Sequence, residues 1–95
     1  MSVHWTNTAI EHLQAIYDYI AKDSSVYAQR MVDKLTKRSE QISSFPHSGR
    51  IVPEYEKDDI RELIEKPYRI IYLIKSEQID ILAVVHGSHL IQDSF

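Results

Sequence analysis

The spacing of hydrophobic positions changes halfway along the chain. Up to about residue 45, apolar residues recur every three or four positions, the period of a helix with one buried face. From about residue 60 they alternate or run together in short segments rich in β-branched and aromatic residues, which is typical of strands. Helices followed by strands predict an α+β domain.

Two helices are predicted in the first half, after a short strand at 3–5. Residues 6–7 can cap the first helix, which we expect to end near residues 21–23. Residues 24–25 can cap the second, which should continue to about Ser44. Because the link between them is so short, the two helices must form an antiparallel hairpin.

A turn and three strands are predicted in the second half. Pro46 ends the second helix, and Gly49 is expected to supply an unusual backbone angle in the turn that follows. The predicted strands cover residues 60–64, 68–75 and 79–86. Since only a few residues connect them, neighbouring strands must be antiparallel, which gives a small, mostly antiparallel sheet.

The middle strand is apolar on both faces, because apolar residues fill positions 70–74 without a break. The helical hairpin can cover only one face. The other face needs a second cover, from a partner chain or from the C-terminal segment 89–95. We therefore expect Ile71 and Leu73 to contact a partner protein.

Composition limits the possible classes of protein. The chain has 95 residues, of which 43% are hydrophobic and 26% charged, and it has no cysteine. These values predict one domain over residues 1–95 and exclude thiolate catalysis and thiolate metal sites. No stretch approaches the roughly 18–20 apolar residues of a membrane span, and the first ten residues do not resemble an export signal. We expect a cytoplasmic protein without a membrane partner.

The net charge of −3 argues against nucleic-acid binding through overall basicity. The acidic excess lies in the second half, where six basic side chains face nine acidic ones. A surface that docks an acidic protein or a DNA-bound enzyme must therefore be local. The clustered cations fall on the outer side of the second predicted helix: Arg30, Lys34, Lys37 and Arg38. The alternative for such a stripe is an ordinary solvated helix face.

Several ordered motifs resemble the RelE/ParE superfamily of bacterial toxins over about residues 5–87. They are Trp5-Thr6, the run from Phe45 through Pro46, Gly49 and Arg50 to Val52-Pro53-Glu54, Ile60-Arg61-Glu62, Tyr68-Arg69-Ile70-Ile71-Tyr72, Ile79-Asp80-Ile81-Leu82 and Val84-Val85-His86-Gly87. The loop motif and the His86-Gly87 ending are closest to the ParE type. One departure follows that ending, because Ser88-His89 stands where family members often carry an arginine.

This resemblance implies a helical hairpin packed on a small, mostly antiparallel sheet. It also implies the toxin of a type II toxin–antitoxin pair, neutralised by a cognate antitoxin in a hetero-oligomer. ParE-like toxins are associated with poisoning of DNA gyrase, whereas RelE-like toxins cut messenger RNA on the ribosome. A third interpretation is an inactive, toxin-like module that only binds an antitoxin.

The nuclease interpretation needs a cation for the phosphorane and groups that transfer protons. Arg69 on the middle strand is the candidate cation, with His86 and His89 as the candidate proton-transfer groups. The alternative for Arg69 is an ion pair with Glu54 or Glu62. His86 has a structural alternative as a strand-end residue that hydrogen-bonds to the backbone.

Neither a metal nor a cofactor is expected, because the His-x-x-His pair lacks the third and fourth ligands that zinc requires. In the loop before the first long strand, Arg50 and Glu54 are predicted to act as anchors that hold the loop to the rest of the domain. The alternative for Arg50 is direct contact with a target.

Overall fold

The computed structural model describes residues 1–88. In chain order the elements are β1 (Ser2–Trp5), α1 (Asn7–Ala21), α2 (Ser25–Ser44), a 3-10 turn (Pro46–Ser48), β2 (Arg50–Ile51), β3 (Ile60–Glu65), β4 (Tyr68–Ile74) and β5 (Gln78–His86). The sheet order is β1-β5-β4-β3-β2, in which β1 is parallel to β5 and the other pairs are antiparallel. The predicted α+β fold is confirmed. The two-residue strand β2 was not predicted.

Both helices begin where a hydroxyl can cap them. The side-chain oxygen of Thr6 accepts a hydrogen bond from the backbone of Ala9 at 3.2 Å, and that of Ser24 accepts one from Tyr27 at 3.2 Å. Each hydroxyl thereby satisfies one of the amides that a helix start leaves without a partner. Pro46 stands just after α2, where its ring prevents further helix.

The main core lies between the helical hairpin and one face of the sheet. The helices contribute the fully buried Ala9, Leu35 and Ile42, together with Ile16. The sheet contributes alternate residues of its strands: Leu63, Tyr68, Ile70, Tyr72, Ile79, Ile81 and Val84. This layer places every other residue of β4, including Arg69 and Ile71, on the face away from the helices.

The helix-free face is covered by the chain itself. Val52, in the segment between β2 and β3, packs with Ile71 and Ala83, and all three are fully buried. Ile71 is therefore covered by the chain itself, while Leu73 is half-buried, and the expected contact of both residues with a partner protein stays a prediction. The alternative cover that we considered, residues 89–95, lies outside the described residues.

Gly49 is required for close packing and not for an unusual backbone angle. Its φ of −74° and ψ of 154° are ordinary extended values, which corrects the prediction. The hydroxyl of Tyr72 donates to the carbonyl of Pro46 at 2.6 Å and accepts from the amide of Gly49 at 3.1 Å. A Cβ at position 49 would lie 2.6 Å from the carbonyl oxygen of Glu62 and closer still to the Tyr72 hydroxyl.

We expect Gly49→Ala to lower the free energy of unfolding by about 1–3 kcal/mol, because the added methyl group overpacks the turn. Tyr72→Phe should cost about 1–3 kcal/mol, because it leaves the buried amide of Gly49 without its acceptor. The double variant should lose less than the sum, since removal of the hydroxyl relieves one of the two clashes. Urea denaturation of the four proteins measures this coupling, and strict additivity would contradict the packing argument.

Thr6 and His12 form hydrogen bonds with the edge of β5 near and beyond the end of β1. The backbone and side chain of Thr6 both donate to the carbonyl of Ile81, at 3.2 and 2.7 Å. Further along, the amide of Val84 donates to Nδ1 of His12 at 3.1 Å. Burial lowers the pKa of His12, against a smaller opposing effect of Glu11. The ring is therefore held neutral with Nδ1 as an acceptor.

We expect the free energy of unfolding to fall as the pH drops below about 6.5, the ordinary pKa of histidine. The unfolded ring binds a proton more readily than the buried one, so this loss continues until the pH reaches the lowered pKa of the folded state. His12→Asn offers the Val84 amide an acceptor that does not titrate. Denaturation between pH 7.5 and 5 should show a flatter profile for that variant, and identical slopes would contradict the assignment.

Candidate functional site

A cluster of four charged side chains occupies one end of the helix-free face. Arg69 donates from Nε to Glu62 at 2.9 Å, and its two terminal nitrogens donate to the two carboxylate oxygens of Glu54 at 3.0 and 2.9 Å. Glu62 also accepts from Arg50 Nε at 2.9 Å. The side chains of Arg69 and Glu62 are buried, whereas that of Arg50 is exposed.

The strand register brings these charges together. The short pairing of β2 with β3 places Arg50 opposite Glu62, and Arg69 on β4 lies one diagonal away from Glu62 on the same face. Glu54 lies in the segment between β2 and β3, which also covers Ile71. Arg50 and Glu54 thus connect the two ends of segment 50–54 to the sheet, through Glu62 and Arg69 respectively.

The four charges sum to zero, so the cluster offers no excess positive charge to an anion. The hydrogen bonds that Arg69 donates to Glu54, followed by those that it donates to Glu62, raise the pKa of Arg69, although burial opposes the shift. Arg69 is therefore a permanent cation whose charge is matched by two carboxylates. Such a group is well suited to hold segments together and poorly prepared to receive a phosphate.

We expect Glu62→Gln to lower the free energy of unfolding by about 3–5 kcal/mol, because it leaves two arginines beside a buried neutral amide. Glu54→Gln should cost less, since Glu54 is partly exposed and Arg69 retains Glu62. Asp58→Asn removes an ion pair with Arg61 in which the Asp58 side chain is 78% exposed, and it should change stability by at most about 1 kcal/mol. Urea denaturation ranks the three, and equal losses at positions 58 and 62 would contradict the buried network.

His86 lies on the opposite face of the sheet from Arg69. In the β4–β5 register Tyr68 is paired with His86, and their rings meet edge to face with centroids 6.0 Å apart on the helix side. The neighbouring pair, Arg69 and Val85, points to the helix-free side. Arg69 and His86 therefore do not share one face of the sheet in this structure, and their joint catalytic role stays a prediction. His89 lies outside the described residues.

The basic stripe on α2 divides into two parts. Arg30, Lys34 and Lys37 are exposed, and the Arg30 guanidinium lies 5.7 Å from the centre of the Tyr27 ring. Arg38 instead reaches the sheet, where it donates to Glu65 at 3.2 Å and to the carbonyl of Ile64 at 2.9 Å. Only the first three cations form an open surface, because Arg38 joins α2 to β3.

Sequence reasoning missed two features of this region. It placed Glu62 only as an alternative partner of Arg69 and not as a carboxylate shared with Arg50, and it assigned Tyr72 no role in the turn at Gly49. The available signal was the presence of two arginines and two glutamates, Arg50, Glu54, Glu62 and Arg69, which become a cluster only after the register of β2 is known. Within residues 1–88 no group of three or more histidines and carboxylates could hold a metal ion, and no helix is long and apolar enough to cross a membrane.

Comparison with known proteins identifies the family to which the chain belongs. Residues 3–91 match the family described as the ParE toxin of the type II toxin–antitoxin system, parDE. Toxin RelE2 of Caulobacter vibrioides is 33% identical over 89 residues, which cover 93% of this chain and 97% of that protein. A putative toxin, Y4kP, of Sinorhizobium fredii is 36% identical over 87 residues, covering 90% and 86% of the two chains.

Solved structures agree with these relatives. A chain described as the chromosomal ParDE TA system from P. aeruginosa has 27% identity and a TM-score of 0.75, covering 90% of this chain and 95% of that one. A YoeB/ParE toxin from Agrobacterium tumefaciens shares the fold, with a TM-score of 0.60 at 16% identity and coverage of 90% and 98%.

The fold and these matches define a toxin of the RelE/ParE superfamily. Within that superfamily, the chain belongs to the ParE toxin family of type II toxin–antitoxin systems, and its partner is a cognate antitoxin. The resemblance identified from the sequence motifs is thereby confirmed.

Proposed function

We propose that this toxin arrests growth by binding DNA gyrase in the cytoplasm, without catalysing a reaction, and that a cognate antitoxin neutralises it. The observation that carries the proposal is the state of Arg69. Its guanidinium is hydrogen-bonded to two carboxylates, and His86, the candidate for proton transfer among the described residues, lies on the other face of the sheet. Messenger-RNA cleavage would require the cation and the proton-transfer groups on one face.

The target surface in this proposal is the outer face of α2. Arg30, Lys34 and Lys37 are exposed there, on a chain whose net charge is −3. Arg38 stands at the border of this surface and keeps the helix fixed on β3. Exposed cations on a rigid helix can steer the toxin to an acidic protein surface and fix its orientation there.

The antitoxin requires a different surface. Ile71 is buried beneath Val52 and could contact an antitoxin only if the segment between β2 and β3 moved, while Leu73 remains partly accessible. An open groove between α1 and α2 is the better candidate for an antitoxin segment. It is lined by Ile10, Leu13, Gln14, Tyr17, Gln29 and Val32.

The second candidate function is cleavage of messenger RNA on the ribosome. The name of the relative Toxin RelE2 favours it, as does the presence of Arg69 and His86 near one end of the sheet. In this case the Glu54–Arg69 bonds would have to open on the ribosome before Arg69 could bind a phosphate.

We expect the purified toxin to inhibit supercoiling by gyrase. Lys34→Glu/Lys37→Glu should raise the inhibitory concentration by about tenfold or more, because both changes reverse charges on the proposed contact surface. Lys57→Glu/Lys66→Glu is the matched control, since it alters the net charge equally at exposed positions outside α2. The control should inhibit as the wild type does.

Unaltered supercoiling at a large excess of wild-type toxin would exclude the gyrase proposal. Sequencing of messenger-RNA 5′ ends after brief expression distinguishes the second candidate, because new cuts in phase with codons would establish nuclease activity. Equal loss of inhibition in both double variants would show that only the total charge matters, and would exclude the α2 surface.

A further inference from the structure

An aromatic ring and a guanidinium lie in contact near the start of α2. The central carbon of the Arg30 guanidinium is 5.7 Å from the centre of the Tyr27 ring, which is within the distance of about 6 Å over which a ring face attracts a cation. Tyr27 is 63% exposed, and Arg30 is exposed as well. Neither residue belongs to the core clusters of the described residues. We name Tyr27 and Arg30 the ring–guanidinium pair.

Arg30 differs from the other four arginines of the chain. Arg38, Arg50, Arg61 and Arg69 each form an ion pair with a carboxylate. Within residues 1–88, Arg30 has the Tyr27 ring as its partner and no carboxylate. An aromatic ring uses none of the N–H donors of a guanidinium, so these donors remain available to a carboxylate that approaches from outside.

The nearest acidic side chain along the helix does not meet this need. Asp33 lies three residues after Arg30, a spacing that permits an ion pair on one helix. Its carboxylate instead accepts a hydrogen bond from the side chain of Gln29 at 2.9 Å. The positive charge of Arg30 is therefore oriented by Tyr27 and left without a matching negative charge in the part of the chain that the structure describes.

The pair is continuous with the cations that we assigned to target binding. Tyr27, Arg30, Lys34 and Lys37 follow one another at intervals of three, four and three residues, which keeps side chains on one side of an α-helix. All four are exposed. At a rise of about 1.5 Å per residue they form a strip about 15 Å long, with the pair at one end.

The surroundings of the pair favour a carboxylate of a folded protein over the phosphates of a nucleic acid. The chain has a net charge of −3, and Asp33 and Glu40 are exposed on the same helix. A nucleic-acid backbone along α2 would bring a row of negative charges past these two carboxylates, whereas a single carboxylate can bind Arg30 alone. Tyrosine and arginine are also enriched among the residues that dominate protein–protein contacts.

We propose that the ring–guanidinium pair is a carboxylate-binding site and anchors the toxin on its target protein. An aspartate or glutamate of the target accepts two hydrogen bonds from Arg30. The target also covers the exposed Tyr27 ring, and removal of water strengthens the attraction between the ring and the cation. Tyr27 is a positioning residue, because it acts through Arg30. The inference rests on the proposed function in assigning α2 to the target and in naming that target as gyrase.

The test measures binding of the purified toxin to gyrase without DNA, and growth arrest in cells. Tyr27→Ala removes the ring, Arg30→Lys keeps the charge but loses the guanidinium fork, and Tyr27→Phe keeps the ring. Tyr19→Ala is the matched control, because Tyr19 is 71% exposed and its ring lies 6.0 Å from Nζ of Lys22, in a similar pair without a guanidinium. Circular dichroism verifies that every variant is folded.

We expect the dissociation constant to rise about tenfold for Tyr27→Ala and for Arg30→Lys, and to stay within about twofold of the wild type for Tyr27→Phe and Tyr19→Ala. Tyr27→Ala/Arg30→Lys should lose less than the product of the two single changes, because the ring acts through the guanidinium. Growth arrest should weaken in the same order.

Wild-type affinity and growth arrest in folded Tyr27→Ala would overturn the inference, as would an equal loss in Tyr27→Phe or in Tyr19→Ala. Binding of the wild type to duplex DNA alone, weakened by Arg30→Lys, would also overturn it, because the ligand would then be phosphate. A toxin that arrests growth without binding gyrase would overturn the gyrase proposal alone, because the order of growth arrest among the variants still tests the pair.

Discussion

The carboxylate of Glu62 lies between Arg50 and Arg69 in a part of the sheet closed to solvent, and the helix-free face depends on this contact. A buried charge is tolerated only when it is paired and hydrogen-bonded. The two arginines meet this requirement from different strands, and Glu54 completes the coordination of Arg69. Pairing at Glu62 therefore fixes the position of β2 and, through Glu54, the segment whose Val52 covers Ile71.

The same contact underlies the proposal that this toxin does not cleave RNA. An arginine that binds phosphate must have donors available where the phosphate arrives, but the donors of Arg69 already meet carboxylate oxygens. The exposed cations of α2 lie on a surface suited to protein contact. This distribution is the physical basis for proposing a toxin that binds an enzyme rather than one that cleaves RNA.

Local sequence patterns predicted the helices and strands, but they missed the contacts between residues that are far apart in the sequence. Thr6 and Ser24 cap their helices because a cap depends on residues three positions away. Gly49 was misinterpreted because its neighbour, the Tyr72 hydroxyl, is 23 residues distant. Burial of Ile71 by Val52 and the attachment of Arg38 to β3 likewise depend on the register of the strands, which periodicity does not specify.

In the free toxin the guanidinium of Arg69 is bound by Glu54 and Glu62. Side-chain NMR of ¹⁵N-labelled arginines, recorded during a titration with inorganic phosphate, tests it most directly. We expect a slowly exchanging Arg69 Nε–H signal that phosphate does not shift, beside rapidly exchanging signals from the exposed Arg30. An Arg69 signal that exchanges as fast as that of Arg30, or that moves on addition of phosphate, would contradict it.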